Sequence, residues 1–304
     1  MFILSKSCEI CGTTRWNSVY CGKIRNGAFG NFINGKIFRC IGCNVERLDE
    51  DLSIKREAYQ SKEYREMLNQ GIEVGDYFKH SDSIQIHNLN ALWPLNIRGK
   101  KIADIGTGGG SFLDSVSGLA GEVLAIEPTL MYHSSLRKRG YRVFNYTADA
   151  LKEYRNKIDI VFSFQVIEHV TDPKRLLREA LLLLRPNGKM IIATPNRNDI
   201  LLKLLPNDFP SFYYRTQHRW YFDKSSIINC FGQIATMANS QLDEVEFIHT
   251  FGMSNCLTWL NEKRPIGDLR IEGISPAADK MWSAYLQSTG QTDTLILKAT
   301  KIGP

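Results

Sequence analysis

The chain has 304 residues, of which 43% are hydrophobic and 23% are charged, and its formal net charge at pH 7 is +6. These proportions are ordinary for a globular protein and exclude a disordered or fibrous one, while the length accommodates a full α/β domain with a small appendage. The mild positive charge suits an anionic small substrate. The sequence has no dense block of Lys and Arg and no apolar run of the ~20 residues that a transmembrane helix needs.

Two Cys-x-x-Cys pairs lie near the start of the chain. They are Cys8 with Cys11, and Cys40 with Cys43. Four thiolates satisfy tetrahedral Zn²⁺ and leave no coordination position open, so the spacing predicts a structural zinc ribbon over residues 1–50, without a catalytic role. Two disulfides or plain buried thiols are the alternatives. Because no signal peptide is visible, we expect a cytoplasmic location, where reducing conditions disfavour disulfides.

Residues 51–98 are predicted to form a helical linker that covers the following domain. The apolar pattern favours one helix over 53–70 and a second over 76–93. The second helix carries three candidate pocket residues, for which packing or surface exposure is the preferred explanation: Tyr77, His80 and His87.

A glycine-rich loop follows the first strong strand pattern. The stretch 102–110 is an apolar run ending in Asp104, followed by Gly106, Gly108 and Gly110, and Ser111 then opens a helical pattern. Glycine allows positive φ and close approach of the backbone to a ligand. NAD, FAD and S-adenosylmethionine sites all use such a loop. The Gly-x-Gly-x-Gly spacing, and a carboxylate placed to hold a cationic amino-acid tail, favour S-adenosylmethionine.

Two further acids lie at the distances that such a site requires. Glu127 ends the strand pattern 123–126, where a carboxylate can accept both ribose hydroxyls, as it also does in dinucleotide enzymes. Asp149 follows a third strand pattern over 141–145 and can hydrogen-bond an adenine amino group. A solvated helix cap is the alternative explanation for Asp149.

The fourth strand pattern, 158–163, runs into Phe164-Gln165-Val166-Ile167-Glu168-His169-Val170-Thr171-Asp172-Pro173. With the glycine loop and both acids in order, this block resembles class I S-adenosylmethionine-dependent methyltransferases. Within them it is similar to the branch that contains ubiquinone-pathway O-methyltransferases and bacterial sugar methyltransferases. The resemblance covers 99–200 and the last strand. The ribbon placed before this domain loosely resembles methyltransferases of bacterial polysaccharide and nucleotide-sugar pathways.

The resemblance implies an α/β fold over 99–304, with a Rossmann-like sheet of seven mostly parallel strands whose last strand is antiparallel. It implies that Asp104, Gly106 and Gly108 hold the methionine part of the cofactor, Glu127 the ribose, Asp149 the adenine, and Gln165 the floor under the sulfonium. Thr107 stands where many relatives carry Cys, a change of small effect because that position contributes backbone. The remaining predicted cofactor residues are Gly110, Ala150 and Phe164.

The second half of the domain continues the pattern with two additions. Asp172 and Pro173 are a good N-cap and first residue for an apolar-faced helix, and 190–193, 244–248 and 294–298 read as strands. Prolines and clustered aromatic residues over 200–225 predict a lid on the substrate side. A helical insertion is expected over about 253–285.

Methyl transfer to a hydroxyl requires removal of a proton, and a positioned base adds roughly 10²–10⁴-fold. Histidine titrates in the useful range. His169, after the fourth strand, and His218, in the aromatic segment, are the candidates, with Glu168 expected to orient His169 or cap the loop. A structural hydrogen bond is an equal alternative for His169. For His218 the functional interpretation comes first, because an aromatic-rich lid would expose it to substrate.

The acceptor is predicted to be a small molecule. Strand four lacks the Asn-Pro-Pro-Tyr of enzymes that methylate base amino groups, so a sugar hydroxyl on an anionic nucleotide-linked or glycan precursor of surface polysaccharide is the first expectation. Carbon methylation of a keto sugar, an RNA methyltransferase gripping RNA with the ribbon, and a non-enzymatic scaffold are the alternatives. The oligomeric state is not predicted.

Overall fold

The computed structural model describes residues 2–3, 7–61, 66–67, 74–92, 95–266 and 269–303, and these form two sheets. The smaller sheet is built from five strands in the order β1-β2-β3-β4-β10: β1 Phe2–Ile3, β2 Arg15–Arg25, β3 Phe32–Cys40, β4 Glu46–Leu48 and β10 Trp220–Tyr221. The larger sheet contains seven strands: β5 Lys101–Ile105, β6 Glu122–Ile126, β7 Arg142–Phe144, β8 Ile158–Phe164, β9 Leu184–Pro195, β11 Ser240–Ile248 and β12 Thr294–Lys301.

The larger sheet has the order β11-β12-β9-β8-β5-β6-β7. Five neighbouring strands of this sheet are parallel to one another: β9, β8, β5, β6 and β7. Strand β12 runs antiparallel to both β9 and β11. The predicted fold class is therefore confirmed. Neighbouring strand residues are buried on opposite faces, as a covered parallel sheet requires: Val161 packs into one core cluster and Phe162 into the other.

Helices cover both faces of this sheet. Their bounds are α1 Val74–Ser81, α2 Gln85–Asn90, α3 Ser111–Val116, α4 His133–Lys138, α5 Thr147–Tyr154, α6 Pro173–Leu183, α7 Ile200–Leu204, α8 Pro210–Tyr213, α9 Lys224–Ala235, α10 Met253–Glu262 and α11 Pro276–Thr289. Helix α6 begins as predicted, because the Asp172 side chain accepts a hydrogen bond from the Arg175 amide at 3.0 Å. It ends at Leu183, and the next residue, Leu184, begins β9.

The first half of the helix expected over 53–70 is not formed. The structure has a 3-10 turn at Arg56–Gln60 there, residues 66–67 are helical, and positions 62–65 and 68–70 of that expectation lie outside the described residues. The helix expected over 76–93 is two shorter helices, α1 and α2, separated by a turn at 82–84. Within the described part of the chain, no helix has the length and apolar character needed to cross a bilayer.

The aromatic segment of 200–225 packs into the core. Tyr213, Tyr214 and Tyr221 are at most 7% exposed, and they share a cluster with Ile24 and Leu48 of the small sheet. Strand β10 extends that sheet by pairing with β4. Burial of the apolar face of the small sheet against this segment fixes the ribbon against the larger domain.

Candidate functional site

The glycine loop after β5 has positive φ angles, which residues with a side chain rarely adopt. The φ angles are 80° at Gly106, 57° at Gly108 and 96° at Gly110. A Cβ on Gly106 would overlap the Val166 side chain, and one on Gly108 would lie 2.6 Å from the Tyr77 hydroxyl. Only glycine fits at these two positions, so the loop forms a cradle of bare backbone.

A cavity of about 910 Å³ opens at the carboxyl ends of β5, β6 and β8. In an open α/β sheet this is where ligands bind. The loop side of its wall contains the following residues: Ile105, Gly106, Gly108, Ile126, Glu127, Pro128, Thr129, Asn145, Tyr146, Thr147, Ala148, Gln165 and Val166. Among the three predicted linker residues, Tyr77 and His80 line this cavity and His87 does not.

Glu127 is held rigidly at the edge of the cavity. Its Oε2 accepts a hydrogen bond from the Gly108 amide at 2.7 Å, and its Oε1 accepts one from the Thr129 amide at 2.8 Å. The ring of His133 lies 2.7 Å from the Glu127 carbonyl oxygen and donates to it. These bonds place a carboxylate beside the loop, where it can meet the hydroxyls of a ribose.

Asp104 lies behind the loop at the end of β5 and does not line the cavity. Its side chain is 3% exposed. Burial raises the pKa of this carboxyl from 3.8 to about 7; Thr107 opposes the increase, and the nearby charge of Glu127 adds to it. Because this pKa is raised, ionised Asp104 destabilises the folded protein when it has no cationic partner.

We expect Asp104→Asn to stabilise the protein above neutral pH. Between about pH 4 and 7 the folded state keeps a proton that the unfolded chain has lost, so Asp104 reduces the free energy of unfolding as pH rises through this window. At pH 8 the variant should be more stable by about 2–4 kcal/mol, and the difference should shrink below pH 5. Urea unfolding at both pH values measures this; a difference that does not change with pH would contradict it.

The remaining predicted cofactor residues divide between the cavity and the layers behind it. Gln165 lines the cavity with a φ of 57°, its amide donating to the Ala193 carbonyl at 2.9 Å. Asp149 is 41% exposed in an ion pair with Lys152. The other four lie behind the wall: Thr107, Gly110, Ala150 and Phe164. The backbone before Asp149, at 145–148, occupies the wall that was predicted for that acid.

The two predicted histidines lie together at the far end of the cavity. Their ring centroids are 4.8 Å apart and nearly perpendicular. His169 Nδ1 lies 2.6 Å from the Gln217 carbonyl oxygen, which can only accept, so this nitrogen carries the proton. The other nitrogen, Nε2, is then the one that can take a proton.

Glu168 lies beneath this pair. Its Oε1 is 3.9 Å from His169 Nε2, and its Oε2 accepts from the Thr194 hydroxyl at 3.0 Å. Burial raises the pKa of the Glu168 carboxyl to about 7. One ligand atom each from Glu168, His169 and His218 lies within 4.8 Å of the others. The structure therefore gathers all three predicted catalytic residues in one place.

His218 differs from His169 in its electrostatic surroundings. It is 7% exposed, and burial, reinforced by the positive charge of Arg215, holds the pKa of His218 well below its usual range. An imidazole in this environment stays neutral at physiological pH and is a weak proton acceptor.

Sequence reasoning missed the residues that the smaller sheet, the 3-10 turn at Arg56–Gln60 and the aromatic segment bring to this end of the cavity. They are Arg25, Tyr59, Arg215 and Gln217. Arg25 and Arg215 come from distant parts of the chain and are joined by an isolated parallel bridge. No local pattern marks such a pair, because their proximity depends on how the ribbon docks.

The four N-terminal cysteines form a compact cluster. Sγ atoms are 3.6 Å apart for Cys8 and Cys43 and 3.4 Å apart for Cys11 and Cys40, and all four lie within 4.8 Å of one another. None is in a disulfide. A tetrahedral ion with Zn–S bonds of ~2.3 Å needs sulfurs roughly 3.8 Å apart, so the donor set and its spacing fit zinc.

The sheet order, the glycine cradle and the acid at the end of β6 define a Rossmann-like methyltransferase fold. Residues 77–234, about half of the chain, match the family described as "Methyltransferase domain". The chain belongs to this family.

Curated relatives include two ubiquinone biosynthesis O-methyltransferases. That of Cereibacter sphaeroides is 34% identical over 111 residues, covering 34% of this chain and 45% of the relative. That of Azorhizobium caulinodans is 30% identical over 152 residues, covering 44% and 56%. The chain thus spans about half the length of these relatives.

Two solved structures share the fold. One is the complex between the Haloferax volcanii Trm112 methyltransferase activator and a methyltransferase, with a TM-score of 0.52 and 15% identity, covering 75% of this chain and 96% of the other. The plantazolicin methyltransferase BamL has a TM-score of 0.50 and 14% identity, covering 82% and 95%.

Proposed function

We propose that the protein is an S-adenosylmethionine-dependent O-methyltransferase acting on a small acceptor. The observation that carries the proposal is a single cavity that joins the bare-backbone loop and the fixed Glu127 carboxylate at one end to His169 at the other. The family supports methyl transfer, and the names of the curated relatives favour oxygen over carbon as the acceptor.

The residues of the loop side would bind the cofactor. Gly106 and Gly108 would present backbone to it, Glu127 would accept the ribose hydroxyls, and residues 145–148 would meet the adenine; all of them line the cavity. We keep Asp104 as the residue that balances the cationic tail, from behind the loop. When bound, S-adenosylmethionine supplies an electrophilic methyl group on a positively charged sulfur. Little charge develops during such a displacement, so alignment of the acceptor is the main contribution of the protein.

We assign the base to His169. Its Nδ1 proton is held by the Gln217 carbonyl, which leaves Nε2 to take the proton of the acceptor hydroxyl. Glu168 orients this ring from below, and neutral His218 packs edge-on against it as a positioning residue. The ranking departs from the sequence expectation, which put His218 first, because burial and Arg215 weaken that imidazole as a base.

The acceptor that we propose is a sugar hydroxyl on a nucleotide-linked or glycan precursor of surface polysaccharide. Support comes from the polar acceptor end of the cavity, lined by arginines, histidines and Gln217. The names of the curated relatives favour a second candidate, a phenolic hydroxyl. We favour RNA binding less as the role of the ribbon, because the last residue of its strand β2 lines the cavity. Four reduced cysteines suit a cytoplasmic location.

A panel of nucleotide sugars and simple phenols, assayed for release of S-adenosylhomocysteine, tests the function and separates the two acceptors. We expect turnover with at least one nucleotide sugar and its loss in Glu127→Gln, which removes a carboxylate that the ribose would use. Turnover of phenols alone would transfer the assignment to the second candidate. Turnover that survives Glu127→Gln undiminished would contradict the proposed cofactor site.

A further inference from the structure

We propose that Arg25, the last residue of the ribbon strand β2, binds a phosphoryl group of the acceptor. The zinc ribbon would then be a specificity element of the active site, selecting phosphorylated acceptors such as nucleotide-linked sugars. The proposal deepens the proposed function and rests on it.

The position of Arg25 is fixed by backbone contacts across the two modules. Its amide donates to the Tyr214 carbonyl at 2.9 Å, and its carbonyl accepts from the Thr216 amide at 3.0 Å. These bonds bracket Arg215 on the neighbouring segment and bring both arginine side chains to the cavity wall that also contains His169 and His218.

The two guanidinium groups share one aromatic platform. The Arg25 guanidinium carbon lies 4.4 Å from the centre of the Phe212 ring, and that of Arg215 lies 5.6 Å from it. Both guanidinium groups line the cavity, and guanidinium N–H groups are donors that suit anionic oxygens. Two such cations on one wall form a candidate site for an anion.

Arg25 lacks the compensation that the other inner arginines have. Arg219 pairs with Glu9 and Glu50, and Arg197 pairs with Glu46 and Asp223. Across the residues that the structure describes, no carboxylate forms an ion pair with Arg25, and its buried Nε makes no hydrogen bond.

The surroundings of Arg25 also affect the pKa of its guanidinium. Burial lowers the pKa of its guanidinium to about 8, and the charge of Arg215 adds to the effect. A half-buried cation held next to a like charge is unfavourable in the empty protein, and an anion arriving from solution reduces that penalty.

A phosphoryl group fits this wall better than a carboxylate. The diphosphate of a nucleotide-linked sugar carries one negative charge and two free acceptor oxygens on each phosphoryl group, so the pair matches two guanidinium groups in charge and offers oxygens to the N–H donors of both. A phosphoryl group held here would lie close to the histidine pair, since Arg25 and Arg215 both act on His218 electrostatically. The hydroxyl to be methylated would then belong to the same molecule.

The test is calorimetric titration of inorganic pyrophosphate into the zinc-loaded full chain saturated with S-adenosylhomocysteine. We expect binding to the unaltered protein and an affinity weaker by about 10- to 100-fold in Arg25→Gln, since one charge-assisted set of hydrogen bonds is lost. Succinate, titrated in parallel, should bind more weakly than pyrophosphate; tighter binding of succinate would overturn the phosphoryl assignment.

Arg15→Gln is the matched control, because Arg15 is an exposed arginine at the other end of the same strand. It should change pyrophosphate affinity less than twofold. Arg25→Gln should still bind S-adenosylhomocysteine; if it does not, Arg25→Lys, which keeps the charge without the planar fork, replaces it and should weaken pyrophosphate several-fold. Equal pyrophosphate affinity in the unaltered and Arg25-substituted proteins overturns the inference. Failure of the unaltered protein to bind S-adenosylhomocysteine overturns the proposed function instead.

Discussion

Cys40→Ser is expected to remove zinc from the ribbon and destabilise the whole protein. Structural zinc in small modules contributes roughly 10–16 kcal/mol of apparent binding free energy, all of which is coupled to folding. The cysteine cluster also supports the larger domain, because the Cys43 carbonyl accepts a hydrogen bond from Asn229 of α9 at 3.3 Å. We expect the thermal midpoint to fall by about 10 °C or more.

Zinc analysis and thermal unfolding of the variant measure this effect. The unaltered protein should contain about one zinc per chain. Cys21→Ser is the matched control, because Cys21 is an exposed cysteine of the same module outside the cluster, and it should retain zinc and stability. A metal-free preparation of the unaltered protein that keeps its full thermal midpoint would refute the zinc assignment.

His169→Gln is expected to have the largest effect on turnover. Removing a positioned base should lower turnover by roughly 10²–10⁴-fold, while the affinity for S-adenosylhomocysteine changes less than about twofold. The reason is geometric, since His169 Nε2 is the proton-accepting nitrogen at the acceptor end and does not belong to the loop side of the cavity.

Two further histidine variants sharpen this test. His218→Gln should reduce turnover less than His169→Gln, because it removes a packing partner that cannot easily be protonated. His87→Gln, on a histidine outside this cavity, should leave turnover unchanged. Equal turnover in His169→Gln and the unaltered enzyme would remove His169 from the mechanism, and a larger loss in His218→Gln would return the assignment to that residue.

The sheet could be predicted well because its strands carry local signals. Apolar runs ending in Asp104 and Glu127 mark β5 and β6, and the Asp172–Pro173 pair marks the start of α6. Strand β9 runs from Leu184 to Pro195, although only 190–193 read as strand, because pairing with β8 and β12 extends it. Such pairing depends on contacts between distant segments that a local pattern does not contain.

The candidate site was predictable where it follows from strand ends. Gly106, Gly108, Glu127, Gln165 and His169 come together at one cavity because the carboxyl ends of parallel strands meet there. His218 reaches the same cavity from the aromatic segment. Asp149 had the right spacing, but the turn of α5 directs it to Lys152, so the preceding backbone forms the wall instead.

The contribution of the ribbon could not be predicted from sequence. The cysteine spacing indicates a module, and nothing in it indicates where the module docks. Strand β10 joins the small sheet through pairing of Trp220 with Arg47. The backbone bonds of Arg25 with Tyr214 and Thr216 hold Arg25 at the cavity. The sequence indicated a lid for the aromatic segment because the residues that bury it lie in the ribbon, and its docking position could not be predicted.

We propose that the cradle between β5 and β6 binds a sulfonium cofactor. Calorimetry of the purified full chain with S-adenosylhomocysteine, and separately with NAD⁺, tests this binding most directly. We expect one S-adenosylhomocysteine bound per chain, affinity lost on Glu127→Gln, and no binding of NAD⁺. Binding of NAD⁺ with no response to S-adenosylhomocysteine would contradict it.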